Sequence, residues 1–266
     1  MSLINEMIVK KMSLGMNRRE AENYCCQEIV LNKISKSSFN DKVLIKGGVV
    51  MFNYTHNIRR TTNDLDFDFF RYSISDDSII IFIDELNKYD GECKVEINSI
   101  EELHQDDYHG KRLFAFITDG VSTLKFKMDI GVHTLTAIEQ NNIIFDFYDD
   151  KGTLTLRANP FEQIFAEKIY SLAKHGVLSQ RYKDIYDIYY LIKNAKLNRD
   201  TIAQCLDLLT IRSRYGLSSL IDVRNRVIEV LSDRYFVNRL SMTKHKWIDV
   251  NDDIAIKEII DYLQLL

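Results

Sequence analysis

The sequence predicts an α+β fold in which strands and helices mix through residues 1–158 and helices alone fill residues 159–266. Three observations carry that expectation. In the first part, short apolar runs alternate with polar residues at period 2 and end in glycine turns, as the strands of a half-buried sheet do. At Asn159-Pro160 the pattern changes, with proline in the place it favours near a helix start. Beyond it, apolar residues recur at helical spacing. One proline and ten glycines in 266 residues leave little room for flexible linkers.

Residues 4–12 and 17–35 read as helices, the second opening on an Asn17 cap. Val43-Leu44-Ile45 is a buried strand that ends at Gly47-Gly48, and 49–54 is long enough for one or two helical turns. In the next strand Leu65, Phe67 and Phe69 point one way, and Asp64, Asp66 and Asp68 the other. Asp76 or Asp77 caps a helix to about residue 88. Residues 94–97 form a strand, and the polar segment 101–110 reads as a loop. Strands 113–118 and 123–132 make a hairpin through Asp119-Gly120, and 143–148 pairs with 153–157 through Lys151-Gly152. The expected C-terminal helices are 161–174, 179–194, 199–210, 217–231 and 254–265.

Residues 46–70 hold the chemistry. Three carboxylates on one face of a strand repel one another and have low strand propensity. The pattern suits a divalent cation, because hard oxygen ligands two residues apart can share Mg2+. Glycines without Cβ atoms let backbone N–H groups approach phosphate oxygens, and a helix N-terminus favours the same anion. A carboxylate on a neighbouring strand completes such a site. Asp129 is the candidate, because Phe126, Met128 and Ile130 face the core while Lys125, Lys127 and Asp129 share the opposite side.

Lys46-Gly47-Gly48, a short helix, then Arg60-Thr61-Thr62-Asn63-Asp64-Leu65-Asp66-Phe67 resembles the opening of polymerase-β-like nucleotidyltransferases. Its wording is similar to that of the AbiEii/AbiGii toxin family. The resemblance implies a mixed sheet with flanking helices, followed by a helical bundle. It implies transfer of a nucleoside monophosphate from an NTP with two Mg2+ ions held by Asp64, Asp66 and Asp129, which are then the catalytic residues. It assigns Lys46, Gly47, Gly48 and Thr62 to the nucleotide. By spacing alone, Arg181, Asp184 and Asp187 share a helical face as ion pairs do. Glu167-Lys168 and Arg181-Tyr182-Lys183-Asp184 are similar to later motifs of the same family, which implies that Lys168 contacts the nucleotide and Asp184 completes the site. The family analogy also implies an RNA acceptor, tRNA in particular, and a cognate antitoxin. One departure is that Gly47-Gly48 stands where many nucleotidyltransferases have Gly-Ser, so one hydroxyl is missing.

The net charge of −4 is uneven, with −6 up to Pro160 and +2 beyond it. Residues 212–247 carry eight basic against three acidic side chains, near Tyr215, Tyr235, Phe236 and Trp247. That stretch is the candidate surface for the acceptor; a solvated helical face over core aromatics is the plainer account. Cys25, Cys26, Cys93 and Cys205 have no metal-ligand spacing and are expected to be reduced and buried. The six histidines show no paired metal spacing either. No apolar run approaches a membrane span and no leader pattern opens the sequence, so a cytoplasmic protein is expected. The lack of a Gly-x-Ser-x-Gly elbow or a Walker loop argues against a serine hydrolase or a P-loop enzyme. Two competing functions stand beside RNA nucleotidylation. One is nucleotidylation of a protein or small molecule; the other is nucleotide or antitoxin binding without catalysis, against which the three carboxylates speak.

Overall fold

The computed structural model describes residues 2–105, 108–146, 152–211, 213–244 and 246–266. They divide into two compact units: Met1–Thr134 with Gln140–Asn159, and Leu135–Glu139 with Pro160–Leu266. The α+β class and the mixed sheet with flanking helices are as the sequence predicts.

The first unit opens with α1 (Leu3–Ser13) and α2 (Arg18–Lys36). Asn17 caps α2 and exchanges hydrogen bonds with Glu20 in a capping box. Then come β1 (Val43–Ile45), α3 (Gly47–Thr55), β2 (Leu65–Phe69) and α4 (Asp76–Leu86). The strands β3 (Lys94–Gln105), β4 (Tyr108–Thr118), β5 (Thr123–Val132), β6 (Asn141–Asp146) and β7 (Thr153–Ala158) complete the sheet. Its order is β3-β4-β5-β2-β1-β7-β6. β2 runs antiparallel to β1 and parallel to β5, and β1 runs parallel to β7.

Alternation decides what each face of β2 does. Leu65, Phe67 and Phe69 are fully buried. The rings of Phe67 and Phe69 meet Phe82 of α4 at 5.6 and 5.2 Å between centroids, and Phe39 closes the cluster. Each such ring contributes about 1.5–3 kcal/mol by leaving water. The register that buries them turns the aspartates to the opposite face, and slipping it by one residue would exchange the two sets.

Residues 101–105 and 108–110 are strand rather than the expected loop, and 106 and 107 lie outside the described residues. β3 and β4 pair down to Gln105 and Tyr108, with Glu101 opposite Arg112 and Glu102 opposite Lys111. Opposite charges across an edge hairpin stabilise strands without apolar residues, which is why polarity alone misleads there. Ser75, rather than Asp76 or Asp77, caps α4. The end of the strand expected to reach Tyr148, and the turn at Lys151, lie outside the described residues.

The second unit holds α5 (Phe161–His175), α6 (Tyr182–Asn194), α7 (Arg199–Thr210), α8 (Leu220–Ser232), α9 (Arg234–Ser241) and α10 (Asp252–Leu263). α5 packs on α7 and α8, and α6 on α10. α6 starts later than expected, because a short 3-10 turn at Gly176–Leu178 intervenes and Arg181 sits at the cap position. α9 is an element the sequence reading missed. Asp233 caps it, and Phe236 and Leu240, four residues apart, are its buried anchors.

Candidate active site

Parallel pairing of β2 with β5 sets Asp66 directly beside Asp129. Adjacent strands lie about 5 Å apart, so the two side chains are neighbours on one face. Asp64 sits one residue before β2 and Asp68 two residues after Asp66. The structure therefore brings the three predicted catalytic aspartates to a single face of the first unit. The approach to Asp64 is held from beneath by Gln27, a buried residue of α2. Its Nε2 donates to the carbonyls of Thr62, at 2.9 Å, and Asp64, at 3.2 Å.

Cations from neighbouring elements answer most of the acidic charge. Lys127 Nζ lies 2.9 Å from Asp64, and Lys46 Nζ 2.5 Å from Asp68. Arg112, opposite Asp129 on β4, donates through Nε and Nη2 to both carboxylate oxygens of Asp129 at 2.8 Å. Among the described residues Asp66 has no cation within ion-pair distance. Burial pushes its carboxyl up to about 6; Lys46 opposes the rise, and the neighbouring charges of Asp129 and Asp64 add to it. Sequence reasoning noticed Lys127 as a flanking residue and missed Gln27 and Arg112. Their partners are fixed by pairings across the fold, which local spacing does not encode.

The glycine pair serves two close approaches. Gly47 has φ +66°, and a Cβ there would stand 3.1 Å from Asp66 Oδ2. A Cβ on Gly48 would stand 2.6 Å from Thr62 Oγ1 and 2.9 Å from Thr62 Cβ, too close for any side chain. Thr62 thus fills the space a serine at 48 would need, with its hydroxyl beside the first turn of α3. Among the described residues no side chain caps that turn, which leaves its leading N–H groups able to meet another acceptor.

A divalent cation fits this face by chemistry. The donors are hard carboxylate oxygens, and half-buried Asp66 has no ion-pair partner among the described residues. Among the described residues, however, no three acidic, histidine or cysteine side chains converge as a ready-made metal cage. Arg112 and Lys127 hold two of the three candidate ligands.

Lys168 and Asp184 belong to the second unit. Lys168 is buried on α5, and its Nζ lies 2.5 Å from Asp184 and 2.7 Å from Asp187. Asp184 also accepts from Arg181 Nε at 2.5 Å, and Asp187 from Trp247 Nε1 at 3.0 Å. Burial alone would raise the Asp184 carboxyl, but Lys168 and Arg181 hold it far below its ordinary range. In the 212–247 stretch Phe236 and Trp247 are buried core, Tyr235 is exposed, and Arg212 lies outside the described residues. The four cysteines are buried, as expected, and form no disulfide among the described residues. No helix among the described residues is long and apolar enough to cross a membrane.

Residues 29–249 match the model of the family described as nucleotidyl transferase AbiEii toxin, type IV toxin–antitoxin system. The crystal structure of JHP933 from Helicobacter pylori superposes with a TM-score of 0.52 at 12% identity, covering 94% of this chain and 92% of that one. A second H. pylori structure, of a candidate nucleotidyltransferase, gives a TM-score of 0.51 at 14% identity, covering 94% and 95%. At such identities these two share the fold. No curated relative matches the sequence. The chain belongs to the AbiEii nucleotidyltransferase toxin family and is a transferase.

Proposed function

We propose that the protein transfers a nucleoside monophosphate from an NTP to RNA, with tRNA the acceptor class the family analogy favours, at the carboxylate face of β2 and β5. One observation carries the reading: half-buried Asp66, beside Asp129, is the candidate ligand of that face with no ion-pair partner among the described residues. A partly desolvated carboxylate left in that state costs stability unless a ligand offsets it.

Asp64, Asp66 and Asp129 would hold the cation, two Mg2+ ions being the expected complement. Mg2+ supplies Lewis-acid polarisation of the α-phosphate and neutralises charge on the leaving pyrophosphate. The chain's own groups do the rest. Gly47 and Gly48 leave the first turn of α3 open to phosphate oxygens, and Thr62 and Lys46 offer a hydroxyl and a positive charge beside it. Asp129 would also take the proton from the acceptor hydroxyl as general base. Lys168 and Asp184 enter as nucleotide contacts through the family analogy. An antitoxin is the partner that type IV toxin–antitoxin membership points to, and the cytoplasm is the compartment such a partnership with RNA suits.

An acceptor screen tests the reading. Purified protein is incubated with Mg2+, each α-32P-labelled NTP in turn, and either total RNA or total protein. Label on RNA with one preferred NTP is expected. Label on protein instead would move the acceptor to the competing class, and label on neither would leave a binding protein.

A further inference from the structure

We propose that Arg112 is an exchangeable counter-ion of the active site: it grips Asp129 while the site is empty and moves to the nucleotide's phosphates when a divalent cation takes Asp129. The inference rests on reading the carboxylate face as a nucleotidyl-transfer site, and it adds a residue and a step to that reading.

Three features support the exchange. Arg112 engages both oxygens of Asp129, so the carboxylate is fully occupied by a guanidinium fork. The same planar fork fits a phosphate equally well, which a lysine at this position would not match. The pair is also poorly sheltered: the Arg112 side chain is 33% exposed and Asp129 20%. Solvent reaches both partners and screens the pair in part, so releasing it is a modest cost against binding a divalent cation. Lys46 and Asp68 differ, their paired side chains being only 16% and 7% exposed.

The charges agree with the exchange. In the structure Arg112 and Lys127 answer two of the three charges on Asp64, Asp66 and Asp129. Divalent cations arriving there make both side chains superfluous as carboxylate partners. The triphosphate that arrives with them is an anion beside which a freed guanidinium is well placed. A fixed strut would behave otherwise, since an arginine that merely orients a metal-ligating carboxylate raises metal affinity and is missed when removed.

The sign of one change separates these roles. Mn2+ binding is measured by titration calorimetry on wild type, Arg112→Gln and Arg112→Lys. Binding of an α,β-methylene NTP analogue is then measured in the presence of Mn2+. Thermal melts confirm that each variant is folded, and the lysine variant keeps the charge if the glutamine variant does not fold. For Arg112→Gln, Mn2+ alone is expected to bind several-fold tighter, because a competitor for Asp129 is gone. The analogue should bind about tenfold weaker, the loss of one charge-assisted fork. Arg112→Lys should lose about two- to threefold for the analogue. Weaker Mn2+ binding in Arg112→Gln would overturn the exchange in favour of an orienting strut. Unchanged binding of both would reduce the pair to a surface contact. If the wild type binds neither Mn2+ nor the analogue, the transfer-site reading itself fails and this inference goes with it.

Discussion

At the scale of single residues, Gly48 and Thr62 act as a matched pair. Adding a side chain at 48 forces Thr62 to shift, because the contact is with Thr62 Cβ as well as its hydroxyl. Gly48→Ser is therefore expected to cost about 1–3 kcal/mol. Replacing Thr62 by glycine in the same chain should recover more than about 1 kcal/mol of that, a coupling read by a double-mutant cycle of denaturant unfolding. Additive effects would show that the two side chains do not compete for space. Asp66 makes the opposite kind of prediction. Its carboxyl is held above its ordinary range, so the metal-free fold loses stability as pH rises from about 4 to about 6. Asp66→Asn should raise the metal-free Tm at neutral pH by about 2–4 °C while removing the stabilisation that Mg2+ gives the wild type. A lower Tm in that variant would mean the carboxylate is well satisfied without a cation.

At the scale of elements, strand pairing builds the site, and this is where the sequence was only partly legible. The period-2 pattern of β2 identified the aspartate face, and the strand rules led to Asp129. Nothing local says that β2 lies parallel to β5 with Asp66 opposite Asp129. Arg112 was hidden for a related reason, because its stretch of β4 is polar and is held as a strand by charge pairing with β3 rather than by burial. Gln27 was hidden because helix α2 precedes the residues it holds by more than thirty positions. The β4–β5 hairpin offers its own test. Asp119 accepts from the backbone N–H groups of Ser122 at 2.7 Å, Ile4 at 2.9 Å and Val121 at 3.0 Å, tying the turn to the start of α1. Burial works against its charge, but these hydrogen bonds hold the carboxyl down at about 2. Its contribution is complete above about pH 4 and is lost as pH falls through about 2. Asp119→Ala should cost about 1–2 kcal/mol at pH 7 after allowance for solvent screening, and the difference from wild type should shrink between pH 4 and pH 2. A pH-independent difference would assign the loss to packing.

At the scale of the whole molecule, the α+β part and the helical part were both legible, the first from alternation and turns, the second from helical periodicity after Pro160. The helical unit's polar cluster was found by motif, yet its working partners are tertiary. Lys168 meets two carboxylates from α6, and Asp187 of that helix receives the indole of Trp247, sixty residues on. Lys168→Ala would leave Asp184 and Asp187 buried with less positive charge, and is expected to cost about 3–5 kcal/mol by denaturant unfolding. A fully stable Lys168→Ala that has lost NTP binding would instead mark the lysine as a ligand contact with little structural burden. The most direct test of the account returns to Asp66. Pyrophosphate released from NTP in the presence of RNA is measured for wild type and Asp66→Asn, each with and without Mg2+. The account predicts Mg2+-dependent release by the wild type and a fall of at least about a thousandfold in the variant, on the scale of losing a group that stabilises the transition state. Equal release by a folded Asp66→Asn protein would contradict it and place the chemistry elsewhere.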